Sequence, residues 1–178
     1  MIRTLHSAVR ERLNNIIEQN ITVLVGDANG IDKMIQEHLF AANYKAVLVY
    51  ASNGVARNNV GQWEVQKIPV RPNVTGFAFY AEKDKAMADN ADYGFMIWNG
   101  KSKGTLNNII NLSLQSKMVL VYFTPHKKFY NIKSLESAMK LIDSTDEATL
   151  RLFANLTKSQ KILPTPETEQ LTLFQTIV

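Results

Sequence analysis

A chain of 178 residues that is 46% apolar and 20% charged has the length and balance of one globular domain with a full core. Its net charge of +4 comes from dispersed lysines, so composition alone does not ask for a nucleic-acid partner. The absence of cysteine excludes disulfides, thiolate metal sites and a cysteine nucleophile. Residues 1–20 lack the apolar stretch of a secretory signal, and no apolar run reaches the roughly 18 residues of a membrane span. A cytoplasmic protein without membrane contact is expected. His6, His38 and His126 show no tight spacing, so neither a metal site nor a cofactor is expected.

Leu5, Val9, Leu13, Ile16 and Ile17 recur at helical spacing, which predicts an amphipathic helix over about residues 4–19, broken at Asn20. Ile21 to Val25 is a short β-branched run of the kind found in a central strand buried on both faces. Gly26-Asp27-Ala28-Asn29-Gly30-Ile31-Asp32 follows. Gly26 permits a sharp turn off the strand, and Gly30 lets the next helix begin close to it. Asp27 is placed either to cap that helix or to reach a hydroxyl of a ligand. Asp32 falls in the first helical turn, where a carboxylate favours the dipole. The helix is expected to run to about Ala42, and Lys45 to Tyr50 to form a second buried strand.

Residues 51–73 are the least regular part, with Arg57 and Asn58 able to close over a ligand and a short extended piece at 66–70. A helix is expected over 75–90, carrying Glu82, Lys83 and Asp84. Residues 92–98 read as another buried strand. It breaks into Asn99-Gly100-Lys101-Ser102-Lys103-Gly104-Thr105 and runs into a helix from Leu106 to Gln115, with Leu106, Ile109, Ile110 and Leu114, together with Ser113, facing inward. A strand, a glycine-flanked turn and a helix together present backbone N–H groups to an anion, and two lysines and two hydroxyls reinforce that turn. Lys117 to Phe123 is a fourth strand. Beyond Pro125, residues 129–132 are expected to be extended and 135–142 helical. A further helix over 145–156 is expected to be capped by Ser144, with Glu147 completing the box. Residues 164–178 end in the alternating LTLFQTIV, which reads as an edge strand, a partner-binding arm or a frayed tail.

This order of elements predicts an α/β doubly wound, mostly parallel sheet flanked by helices. One domain is expected over 1–125, with a helical extension over 126–163 packed on it and an arm over 164–178. Ligands in such sheets sit at the carboxyl ends of the strands. The candidate binding set is therefore Gly26, Asp27, Ala28, Asn29, Gly30, Asp32, Lys83, Trp98, Asn99, Gly100, Lys101, Ser102, Lys103, Gly104, Thr105 and Asn108. Trp98 and Tyr80 offer rings for stacking on a base, although core packing is the commoner use of a tryptophan at a strand end.

Together the Gly26–Asp32 turn, Lys83-Asp84 with Met87 ahead of Ala91-Asp92, and the Gly100–Thr105 turn ending in Gly-Thr resemble the SLOG superfamily. That group includes the LOG phosphoribohydrolases, the DNA-processing protein DprA and the small YspA-type proteins. The resemblance is nearest to the YspA-type branch and covers about residues 21–125. It implies a Rossmann-like fold and binding of a nucleotide or nucleotide-derived small molecule, and homodimers or higher homo-oligomers are common among such proteins. The LOG enzymes carry a glutamate three residues after the threonine; here that position is Asn108, and an amide cannot act as a general acid or base. The expected activity is thus ligand sensing or sequestration. Two alternatives stay open. One is an N-glycosidic hydrolase or deoxyribosyltransferase-like enzyme using Asp84 or Glu82; the other is a single-stranded DNA binder of the DprA kind.

Overall fold

The structure, a computed structural model, describes residues 3–161. It is an α/β fold with six strands and six helices among those residues. α1 (Ser7–Glu18) leads into β1 (Val23–Gly26), α2 (Ile31–Ala41) and β2 (Val47–Ser52). β3 (Glu64–Ile68), α3 (Gly76–Asn90), β4 (Gly94–Trp98) and α4 (Lys103–Leu114) follow. β5 (Val119–Phe123), β6 (Lys128–Ile132), α5 (Leu135–Ile142) and α6 (Glu147–Lys161) complete it. The arm expected over 164–178 lies outside the described residues.

The strands form two three-stranded sheets. β1, β2 and β3 are parallel throughout, whereas in the second sheet β4 and β5 are parallel and β6 returns antiparallel. β1 and β4 each pair on one side only, and both line a common cavity. The expected single sheet is therefore divided at this point.

Helices cover both faces, as the apolar runs require. On one face Val9 and Leu13 of α1 pack with Ile97 and Tyr122, joined by Ile31 and Ile35 of α2. On the other, Trp98, Val119, Val121 and Phe123 pack under α4, α5 and α6 through Leu106, Ile110, Leu141 and Phe153. The period of two along β5 sends Val119, Val121 and Phe123 one way and Tyr122 the other. β1 and β2 meet α2 in a smaller cluster around Val25, Leu39 and Val49. Asn20 and Asn43 follow helix ends in the left-handed conformation that asparagine tolerates, which explains why the helices stop there.

Several boundaries move. The strands start about two residues later than the apolar runs suggest, because Ile21, Thr22, Asp92 and Tyr93 are exposed at the amino-terminal approach. α4 begins at Lys103 rather than Leu106, capped by Ser102, so Gly104 and Thr105 belong to its first turn. Ser113 is buried as expected, but Leu114 points outward and Leu112 is buried instead. α6 is capped by Asp146, whose Oδ1 accepts the Thr149 N–H at 2.9 Å, while the Ser144 hydroxyl donates back to Leu141. The irregular 51–73 stretch contains β3, two residues earlier than the extended piece expected at 66–70. No helix of the described residues is long and apolar enough to cross a membrane.

Candidate ligand site between two strand ends

A cavity of about 600 Å³ runs between β1 and β4. Its walls are apolar, with Leu13 and Ile35 on one helical layer and Ala88 and Leu112 on the other. At the carboxyl end of the strands the lining becomes polar: Gly26 and Asp32 from the first turn, Asp84 from α3, and Thr105 and Asn108 from α4. Groups from both glycine turns thus reach one cavity. β1 and β4 each end in a turn that hands over to a helix, α2 and α4, and both helices contribute to the lining.

Lys83 is the hub of this end. Its ammonium lies 2.8 Å from Asp84 Oδ1 and 3.9 Å from Asp27 Oδ1, and it is almost fully buried. Asp27 is buried too, and accepts three hydrogen bonds from Arg57: from Nε at 3.1 Å, from Nη2 at 2.8 Å and from the backbone N–H at 3.1 Å. The Arg57 guanidinium also lies 4.3 Å from the centre of the exposed Tyr80 ring, a cation–π contact. Asp32 Oδ2 accepts the Ala28 N–H at 3.0 Å. A β-carbon on Gly26 would run into the Asp32 carboxylate, so glycine there serves this close approach.

Three carboxylates therefore face two cations, and the balance sets their protonation. Burial pushes Asp27 up, but the hydrogen bonds and charge of Arg57, with Lys83 behind, outweigh it and hold Asp27 below the usual carboxylate range. Burial raises Asp32, opposed by the Lys83 charge and the Ala28 N–H. Burial likewise raises Asp84 in spite of its contact with Lys83. The two raised carboxyls are the two members of this cluster that line the cavity.

The 52–63 loop closes over the first turn. Asn58 Nδ2 donates to Asp27 O at 2.8 Å and to Asn29 Oδ1 at 2.9 Å. Gln36, fully buried, donates to Gly26 O at 2.9 Å and accepts the Val60 N–H at 3.0 Å. Arg57 and Asn58 thus close over Asp27. Asp27 acts neither as a helix cap nor as a free acceptor, and Gly30 starts α2 without any side-chain cap. Gln36 was not singled out in the sequence. Its signal is a polar residue beside Ile35 on a helix face that is otherwise apolar.

The second turn is built differently. Asn99 Oδ1 accepts the N–H groups of Lys101 and Ser102, each at 3.0 Å. Ser102 Oγ accepts the Thr105 hydroxyl at 2.9 Å. Gly100, at φ 78°, is pinned from behind by the Thr149 hydroxyl, which donates to its carbonyl at 2.7 Å. Lys101 and Lys103 stay exposed, the latter with its ammonium 3.9 Å from the centre of the Phe77 ring. A β-carbon at Gly104 would meet nothing within 4 Å, so this chain's own packing does not demand a glycine there.

Compared with protein-family models, curated proteins and solved structures, the chain matches none. What can be said of its chemistry rests on its own residues. Trp98 is wholly buried against Phe123 with its indole N–H donated to Ser102 O at 3.2 Å, so it is a core residue with no face for a base. Glu82 is half-exposed beside Arg71 at 4.0 Å and is not part of the cavity lining. Of the two candidate catalytic carboxylates, only Asp84 faces the cavity. Among the described residues no cluster of histidine and carboxylate has the makings of a metal site.

Proposed function

We propose that the chain binds a nucleotide or nucleotide-derived small molecule in the cavity between β1 and β4, as a sensor or sequestering protein. The observation that carries this reading is the convergence of Gly26, Asp32, Asp84, Thr105 and Asn108 on one concave, largely apolar space. Its volume falls in the range of small-molecule sites, and its position is where open α/β sheets take their ligands. The resemblance of both turns to the SLOG superfamily supports the same class of ligand. Asn108 in place of a glutamate favours binding without turnover. The apolar groups exposed at the opposite mouth, Ile21, Tyr93 and Met118, favour self-association into a homodimer, which light scattering would detect.

The test is thermal unfolding of the full chain against a panel of nucleoside 5′-monophosphates, diphosphates and cyclic nucleotides. A ligand at 100 times its Kd adds about 2.7 kcal/mol to native stability and raises Tm accordingly. A panel that leaves Tm unmoved at millimolar concentration sinks the reading.

One observation favours a second, enzymatic reading: Asp84 is a buried carboxyl with a raised pKa in a cleft, the environment of a general acid. As an N-glycosidase the protein would release base from some member of the panel, and Asp84→Asn would abolish that release. Binding without release leaves the first reading standing alone.

A further inference from the structure

The geometry points to a ligand orientation: Asp32, Asp84 and Asn108 receive the sugar hydroxyls of the ligand, and its phosphate lies away from the first turn. This rests on the nucleotide reading above. Two carboxyl oxygens at the polar end of the cavity lack a donor among the described residues. Asp84 gives Oδ1 to Lys83 and leaves Oδ2 unused. Asp32 gives Oδ2 to the Ala28 N–H and leaves Oδ1 unused. Asn108 lines the same end, but its Oδ1 is shut off from solvent with no hydrogen-bond partner among the described residues, so its amide Nδ2 is the group left to meet a ligand.

The two cations of the cluster do not line this space. The Lys83 ammonium lies behind Asp84 and Asp27, and Arg57 is turned onto Asp27. Neither Lys83 nor Arg57 belongs to the cavity lining. A phosphate set between Asp32 and Asp84 would meet two carboxyls and no facing cation, so it is repelled. An ammonium would instead meet the Lys83 charge close behind Asp84 and compete with it for the same carboxylate. Neutral hydroxyls avoid both penalties. Two adjacent hydroxyls supply two donors to two neighbouring carboxyls, and either can also bond the Asn108 amide. The exposed lysines of the second turn are then left for the phosphate.

The experiment is titration calorimetry on the full-length protein with four probes: the tightest 5′-monophosphate of the panel, its 2′-deoxy and 2′,3′-dideoxy forms, and methyl β-D-ribofuranoside. Loss of a hydroxyl bonded to a charged group is expected to weaken binding at least about tenfold. Asp84→Asn is expected to collapse the ribo-to-dideoxy ratio toward one, with its circular dichroism spectrum unchanged. Equal affinity for the ribo and dideoxy forms overturns the orientation while leaving the nucleotide reading intact. The orientation also falls if an alkylammonium probe displaces the ribonucleotide. Binding of the riboside with no binding of any nucleotide keeps the sugar site and removes the nucleotide reading. No binding of riboside or nucleotides removes both.

Discussion

The two glycine turns follow the same grammar, strand then glycine then helix, and the fold uses them in opposite ways. The first is wired inward. Its carboxylate Asp27 is buried under Arg57, its Gly26 carbonyl is held by Gln36, and the 52–63 loop closes over it. The second satisfies its own N–H groups through Asn99 and leaves its two lysines in solvent. A glycine turn at a strand end is therefore not yet a phosphate site. What separates the two is the charge that surrounds them: three carboxylates against two buried or half-buried cations at the first, two exposed lysines at the second. The first turn should govern stability and the second should not, and substitutions can break or sharpen that contrast.

The largest effect is expected at Lys83. Lys83→Met leaves three carboxylates with Arg57 as the nearest cation, and removing one partner of a buried charge cluster costs about 3–5 kcal/mol. Urea denaturation at neutral pH measures it. The double variant Lys83→Met/Asp84→Leu should recover much of the loss, because it removes the stranded carboxylate as well. A loss below about 1 kcal/mol for Lys83→Met would show that the cluster is better hydrated than its burial implies.

Arg57→Ala comes next. The Arg57 side chain is 37% exposed whereas that of Asp27 is 4% exposed, so solvent screens part of the interaction. The expected loss is about 1–3 kcal/mol, below that of a fully buried pair. Hydrogen exchange should quicken at Arg57–Val60, the segment tied down through Asp27 and Gln36, before it quickens in the sheet.

The cluster also gives the protein an opposed pH response. Asp27 is lowered in the folded state, so its contribution is present above the ordinary carboxylate pKa and is lost as pH falls through its folded value. Asp32 and Asp84 are raised, so the folded state holds their protons longer than the unfolded chain does. Stability from those two is present in acid and is lost as pH climbs from the ordinary carboxylate value through the raised one. Asp84→Asn removes one of the two falling contributions. Relative to the unsubstituted chain, the variant should gain stability as pH rises through that window, as read by denaturation at a series of pH values. A difference that stays flat across the window would mean that Asp84 is not raised.

The sequence made the elements legible and the wiring obscure. β-branched runs such as Val47–Val49 and Val119–Val121 could only be buried strands, and the 3.6 period of Val9 and Leu13 could only be a helix laid on them. The separation of β1 from β4 was invisible, because apolar alternation says that a strand is buried but not which neighbour it pairs with. At the site, the glycine spacing located both strand ends. It could not show that Asp27 would meet Arg57, since that contact joins residues 30 apart through a loop with no regular pattern. Trp98 shows the limit from the other side. An aromatic residue beside a polar turn suggests a stacking surface, yet its position on the period of two of β4 sends it beneath α4.

The smallest expected effects are at the second turn, and they bear most directly on the contrast. Lys101 is exposed, and Lys101→Ala should change stability by no more than about 0.5 kcal/mol. Lys103 adds one contact, its ammonium over Phe77, and an exposed cation–π pair contributes about 0.5–1 kcal/mol. The double variant should therefore unfold within about 1.5 kcal/mol of the unsubstituted chain while losing most of its preference for nucleotides over the matching nucleosides. The two readouts answer different questions. A large stability loss would mean that the lysines are structural and that the turns are alike after all. An unchanged nucleotide-to-nucleoside ratio with stability intact would mean that the phosphate, wherever it sits, is not held by the charges left in solvent.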